Sequence, residues 1–216
     1  DDVTMAHTST VAIQTTIDLG AGNDTVTFTA SNGVADLVDN KVTIDGGAGE
    51  DIFEGIAALV AALGDLSATN VAKKGISNFE TVQISSAIAT DVYNINKFGV
   101  NKVNLMTDEA DDFTLAGLTT GATITTGKAV DLLGATSDYA ILDFSDKAGA
   151  GDSVKIVINN TTGAGALQFT AAEIETVSVN TAASDQDNVV HLKIANATDL
   201  VLTTGTGDLT VDMSDA

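Results

Sequence analysis

Cysteine, proline and tryptophan are absent from this sequence of 216 residues, and all nine basic residues are lysine, so arginine is absent too. Without cysteine the chain has neither a disulfide framework nor a thiolate metal site. Without arginine it lacks the planar fork that grips phosphate groups. There is also no apolar run of roughly 18 residues, and we therefore expect no insertion into a membrane.

The charge that is present is strongly negative. The formal net charge is -21, and the acidic residues are 24 Asp against 6 Glu. A chain this negative repels nucleic acid, so we expect no nucleic-acid partner. The preference for Asp matters because Asp is the acidic residue of tight turns and of calcium sites with short ligands.

Short runs of alternating apolar residues recur along the chain and predict an all-β protein. Aromatic residues make up only 4% of the sequence, so a core of small aliphatic side chains in thin layers is expected. Few type I′ hairpin signals occur, which favours a parallel β-solenoid, although a β-sandwich is an alternative that strand spacing does not exclude. The predicted strands contain Val26 and Phe28, Val42 and Ile44, Val82 and Ile84, Leu142 and Phe144, Val154 to Ile158, Val177 and Val179, Leu200 and Leu202, and Leu209 and Val211.

One segment has helical periodicity instead. Its apolar residues are Ile52, Phe53, Ile56, Leu59, Val60 and Leu63. Asp51 and Glu54 resemble a capping box, and Gly64 is a suitable stop. We predict one short inserted helix near residues 52–63, covering an open end or edge of the solenoid.

An internal repeat divides the chain. The run around Glu80-Thr-Val matches the run around Glu175-Thr-Val, at an offset of 95 residues (175 minus 80). This predicts a first solenoid module at 1–110 with the inserted helix, and a second module at 111–216 that continues the first.

The most informative segment is GGAGEDIFE, residues 46–54, which fits the nine-residue calcium repeat G-G-x-G-x-D-x-(large apolar)-x. A relative, LGAGNDTVT, occupies residues 19–27, so the two begin 27 residues apart (46 minus 19). Glycines permit a tight turn whose carbonyls point at a cation, and the Asp adds a carboxylate. We therefore predict Ca²⁺ as the cofactor.

Two further glycine turns, at 149–154 and 205–211, lack the residue between the second Gly and the Asp, which alters the turn. We include them as weaker candidate metal sites, with Gly149, Gly151 and Asp152 in one and Gly205, Gly207 and Asp208 in the other.

The order of these motifs, closing with TGTGDLTV, resembles the lattice-forming C-terminal region of calcium-dependent bacterial surface-layer (S-layer) proteins of the RTX lineage. The resemblance implies a right-handed parallel β-solenoid that binds several calcium ions. It also implies secretion to the cell surface and self-assembly of identical chains into a two-dimensional lattice in the parent protein. A cell-surface polysaccharide could be held through another domain.

Carried over by position, the resemblance implies metal ligands in both complete turns, with the glycines, Asn and Glu acting mainly through backbone carbonyls. Leu19 departs from the first glycine of the pattern. The implied ligands, with the acid that precedes each turn, are Asp18, Gly20, Gly22, Asn23 and Asp24, and Asp45, Gly46, Gly47, Gly49, Glu50 and Asp51.

Catalytic motifs such as G-x-S-x-G and H-E-x-x-H do not occur, and we expect no enzyme activity. The alternatives are the calcium-binding module of an RTX adhesin or exoprotein and, less favoured, a calcium-dependent polysaccharide lyase. The absence of Arg counts against the lyase, since such enzymes generally place Lys or Arg beside the calcium.

Overall fold

Eighteen short strands and three short helical segments make up the described structure. A computed structural model of the chain describes residues 1–5, 14–30, 33–38, 41–65, 75–88, 91–107, 112–127, 140–145, 151–159, 166–171, 174–181 and 187–213. The strands are β1 (Asp2–Met5), β2 (Thr15–Asp18), β3 (Thr25–Phe28), β4 (Val42–Asp45), β5 (Ile52–Gly55), β6 (Ile76–Ser77), β7 (Thr81–Ile84), β8 (Val92–Asn94), β9 (Lys102–Leu105), β10 (Phe113–Leu118), β11 (Ala122–Thr126), β12 (Ala140–Phe144), β13 (Ser153–Ile158), β14 (Ala166–Thr170), β15 (Thr176–Asn180), β16 (Asn188–Lys193), β17 (Asp199–Thr203) and β18 (Leu209–Asp212). The helices are α1 (Gly33–Val38) and α2 (Ala57–Gly64), and Ile95–Phe98 forms a 3-10 helix.

The strands form three sheets whose pairs are all parallel. One sheet has nine strands in the order β1-β3-β5-β7-β9-β11-β13-β15-β17. The second has six strands, β18-β16-β14-β12-β10-β8, and the third has three, β2-β4-β6. Because the chain alternates between the nine-stranded sheet and the other two, it winds as a β-solenoid. The prediction of a parallel β-solenoid is confirmed, as is each of the predicted strands.

Side chains alternate between the inside and the outside of this coil, as the strand period requires. In β13 the residues Val154, Ile156 and Ile158 are buried, whereas Lys155 between them is exposed. The matching halves of the internal repeat fall on strands of the same sheet. Val82 lies in β7 and Val177 in β15, and both strands belong to the nine-stranded sheet. The predicted module boundary at residue 110 stays a prediction.

The inserted helix begins later than predicted. Ile52 and Phe53 belong to β5, which pairs with β3 on one side and β7 on the other. The helix starts at Ala57, whose N–H donates to Ser86 Oγ over 2.9 Å, so the predicted capping box of Asp51 and Glu54 is wrong. Two ladders of backbone hydrogen bonds outweigh a helical periodicity that these few residues also satisfy. The short helix α1 was not predicted.

Helix α2 contacts both hydrophobic cores of the solenoid. It contacts β8, the edge strand of the six-stranded sheet, which agrees with the predicted role of covering an edge. Its Leu59 and Leu63 pack in a smaller core with Phe28 and Phe53, whereas its Val60 packs in the larger core. The helix therefore joins the two cores.

Candidate metal centre

The two turns predicted to bind calcium lie directly on one another in successive coils. Ala48 N donates to Gly20 O over 2.8 Å, and Gly22 N donates to Ala48 O over 3.0 Å. Leu19 N donates to Asp45 O over 3.0 Å. The spacing of 27 residues between the motifs is therefore one full coil, and it brings equivalent residues side by side.

The glycines are required by this stacking as well as by the turn itself. Gly47 has φ +92°, and a Cβ atom there would lie 1.9 Å from the carbonyl oxygen of Gly20. Gly49 has φ +155°, and its Cβ would lie 1.7 Å from the oxygen of Gly22. At Gly46 a Cβ would meet the oxygen of Asn78 at 2.1 Å. Only glycine lets the carbonyls of one turn approach the next so closely.

Leu19, which takes the place of the first glycine in the earlier turn, is buried in the smaller core. Asn23 and Glu50 face each other across the two coils, since Glu50 N donates to Asn23 Oδ1 over 3.2 Å. The Glu50 carboxylate also forms an ion pair with the ammonium group of Lys102. Because Lys102 engages the carboxylate of Glu50, we expect the backbone carbonyl of Glu50 to be the group that binds a metal.

Asp18 and Asp45, the acids that precede the two turns, stabilise them through hydrogen bonds from backbone N–H groups. Gly20 N donates to Asp18 Oδ1 over 3.1 Å, and Gly47 N donates to Asp45 Oδ1 over 3.0 Å. Asp45 Oδ1 also accepts a hydrogen bond from Asn78 Nδ2 over 2.7 Å. Each of these carboxylates therefore uses one oxygen to fix the local turn.

The Asp residues of the motifs form a buried column at the start of neighbouring strands of the nine-stranded sheet, where Asp24 precedes β3 and Asp51 precedes β5. Asp24 is 2% exposed and Asp51 is 0% exposed. Asp24 N donates to Asp51 Oδ1 over 2.8 Å, and the amino group of Asp1 contacts Asp24 Oδ1. The second carboxylate oxygen of each, Oδ2, is buried and has no hydrogen-bond partner within the described part of the chain.

Glu80 continues the column into the third coil. Its Oε2 accepts the N–H of Asp51 over 2.7 Å, as Asp51 accepts the N–H of Asp24. Glu80 was not among the site residues predicted from the sequence. The available signal was the shared Glu-Thr-Val, in which the Glu stands directly before a strand of the nine-stranded sheet.

The two weaker turns differ from each other. Asp152 is buried at 6% exposure and precedes β13 in the nine-stranded sheet, while Gly149 lies outside the described residues. Gly151 has φ +111°. The turn of Gly205 to Asp208 lies instead before β18 in the six-stranded sheet, where Asp208 is exposed and its N–H donates to Asp187 Oδ1 over 2.9 Å. The structure does not bring this last turn together with the others.

Few side chains converge at any of these places. Among the residues that the structure describes, no group of three or more His, Cys, Asp or Glu side chains could hold a metal ion. Calcium takes six to eight oxygen ligands, and backbone carbonyls serve as well as carboxylates. A calcium ion at the stacked turns would therefore be held by one or two carboxylates and by carbonyls of the glycine turns.

The buried carboxylates of Asp51 and Asp152 differ from that of Asp24, which contacts the amino group of Asp1. Within the described ranges, neither Asp51 nor Asp152 forms an ion pair with a lysine. A buried ionised carboxylate is costly unless it is paired or coordinates a metal. The arrangement is thus chemically suited to a hard cation that prefers oxygen ligands.

Comparisons of the chain with models of protein families, with curated proteins and with solved structures found no match. Over the residues described, no helix combines the length and the apolar character that crossing a membrane requires.

Proposed function

We propose that this chain is a calcium-binding structural segment of an S-layer protein, secreted to the cell surface. The ion lies between the stacked turns of residues 19–24 and 46–51. Asp24 and Asp51 supply the carboxylates, and the glycine turns supply backbone carbonyls. The observation that carries the calcium proposal is Asp51 Oδ2, which is fully buried and has no hydrogen-bond partner among the residues that the structure describes.

The chemistry of the donors favours calcium over other metals. Oxygen donors suit Ca²⁺ and Mg²⁺, whereas zinc and copper prefer the nitrogen and sulfur donors that these turns lack. Mg²⁺ demands a strict octahedron and gives up its water slowly, while Ca²⁺ accepts the irregular oxygen sets that carbonyl-rich turns offer. The net charge of -21 adds a general attraction for cations.

The structural role rests on the resemblance to S-layer proteins and on the form of the fold. A solenoid stacks equivalent side chains in rows along its length, so a single surface pattern repeats from coil to coil. Two copies of a chain with a net charge of -21 repel each other unless cations bridge or neutralise that charge. Calcium, which is plentiful outside cells, would thus both complete the turns and permit assembly.

Calorimetric titration tests the calcium site. The wild-type chain should bind Ca²⁺, and Asp51→Asn should lose that binding at the stacked turns because a carboxylate ligand is replaced by an amide. Asp65→Asn is the matched control, since Asp65 is exposed at the end of α2. Equal titrations of all three proteins would refute the proposed site.

Electron microscopy tests the structural role. The parent protein should form planar arrays in millimolar calcium and disperse in chelator. A protein that binds calcium and yet forms no array would instead favour the module of an adhesin or exoprotein.

A further inference from the structure

The relationship between Asp51 and Glu80 is repeated once more in the solenoid, by Asp152 and Glu175. Asp152 N donates to Glu175 Oε2 over 2.9 Å, which matches the 2.7 Å between Asp51 N and Glu80 Oε2. Asp152 stands directly before β13 and Glu175 directly before β15, which are neighbours in the nine-stranded sheet. The shared Glu-Thr-Val of the two halves thus marks the same structural position.

Both residues of this pair are fixed by backbone hydrogen bonds. Asp152 O accepts the N–H of Thr176 over 3.0 Å. Glu175 O accepts the N–H groups of Thr198 and Asp199, over 2.8 and 2.9 Å, and Gly151 N donates to Glu175 Oε2 over 3.4 Å. The carboxylate of Glu175 is therefore held against the turn that carries Asp152.

Asp152 also has a buried carboxylate oxygen that is available to bind a cation. The residue is 6% exposed, and its Oδ2 is buried with no hydrogen-bond partner among the described residues. Glu175 is half-buried, so the pair combines an enclosed carboxylate with one that reaches solvent. Both side chains bring negative charge to this turn, and a divalent cation bound by them would offset that charge.

The pair lies apart from the first site. The equivalent positions between Glu80 and Asp152 are Asn101, before β9, and Gly121, before β11, and both are neutral. Three strand steps separate Glu80 from Asp152, which is about 14 Å at the usual spacing of strands. One ion therefore does not serve both acid pairs.

We propose that Asp152 and Glu175 form a second, independent site for a divalent cation, with Ca²⁺ as its natural occupant. Glu175 supplies a carboxylate from the following coil, in the position that Glu80 has beside Asp51. The inference rests on the proposed calcium-binding function but on different residues, so the two can fail separately.

The test is calorimetric titration with Ca²⁺ and, separately, with Mg²⁺. The wild-type chain is compared with four variants: Glu175→Gln, Asp152→Asn, Asp51→Asn, and the double variant that combines Asp51→Asn with Glu175→Gln. Glu175→Gln keeps an oxygen that accepts the N–H of Asp152 and removes only the charge. We expect Asp51→Asn to retain calcium binding, and the double variant to bind at least tenfold more weakly. Circular dichroism confirms that each variant is folded.

The outcomes separate the two proposals. If Asp51→Asn and the double variant bind equally, or if Glu175→Gln titrates like the wild type, the second site is refuted. The first site stands in that case only if Asp51→Asn binds less calcium than the wild type. Loss of binding in Glu175→Gln alone, with Asp51→Asn unaffected, supports the second site and refutes the first. Should Asp152→Asn fail to fold, Glu175→Gln still decides the matter.

Discussion

Asp24 donates its backbone N–H to Oδ1 of Asp51, a residue 27 positions later in the chain, over 2.8 Å. The bond makes the carboxylate of one calcium motif part of the backbone hydrogen bonding of the other. Loss of that carboxylate removes a candidate ligand and leaves a buried N–H unsatisfied, which costs about 1–3 kcal/mol. Asp51 therefore couples the two turns, so their binding and their folding should be linked.

Calcium should raise the thermal stability of the chain. A ligand that binds only the native state at 100 times its dissociation constant adds about 2.7 kcal/mol. For a chain of this size that corresponds to a rise of roughly 5–10 °C in Tm. Differential scanning calorimetry in millimolar calcium and in chelator measures it, and an unchanged Tm would contradict the prediction.

Asp24→Ala and Asp51→Ala should destabilise the protein far more than Asp65→Ala. In calcium we expect a loss of about 2 kcal/mol or more for each buried Asp, and a change within about 0.5 kcal/mol for the exposed Asp65. Urea unfolding provides the free energies. In chelator the cost of the two buried substitutions should shrink, since the ligand role no longer contributes; similar costs for all three variants would mean that the motif is misinterpreted.

Gly47→Ala should cost more than Gly121→Ala, although both glycines have positive φ, +92° and +79°. The left-handed conformation costs about 1–2 kcal/mol at either position. At Gly47 the methyl group also meets the oxygen of Gly20, whereas at Gly121 nothing lies within 4 Å. Overpacking adds about 1–3 kcal/mol, measurable by urea unfolding, and equal costs would show that the close approach of the coils is unimportant.

Phe53→Ala should weaken the junction between the two cores. The ring of Phe53 packs against Phe28, Phe79 and Phe98, with centroid distances of 5.5, 5.9 and 5.8 Å. The cavity should cost about 3–5 kcal/mol. Phe53→Leu, the control, keeps most of the volume and should cost clearly less; a cost for Ala no larger than for Leu would argue against this packing.

The parent protein should assemble in calcium but not in matched magnesium, if the S-layer proposal is correct. Contacts between identical chains extend in two dimensions when they are head-to-tail and do not close. Light scattering during a calcium titration follows the assembly, and chelator should reverse it. A parent protein that stays monomeric in at least tenfold excess of calcium over its sites would leave the adhesin or exoprotein interpretation in place.

The sequence predicted the strands well where alternating residues had only one interpretation. Val154 to Ile158 and Val177 to Val179 are examples, because alternate residues of each strand are apolar and buried. It failed at Ile52 and Phe53, where the apolar spacing also fits a helix. The pairing of β5 with both β3 and β7 decided their conformation, and that pairing involves residues far away in the chain.

Local chemistry was thus within reach of the sequence alone: glycines that permit the turns, aspartates beside them, and two related motifs that begin 27 residues apart. What only the tertiary structure decided is which acids meet. Glu80 joins Asp51 and Glu175 joins Asp152 because one coil places residues 29 and 23 positions apart next to each other. The exposed Asp208 shows the converse, since a similar turn before β18 lies in a different sheet and outside the column. The physical reason is that turn geometry depends on neighbouring residues, whereas burial and contact between carboxylates depend on the length of each coil and on the sheet that its strand joins.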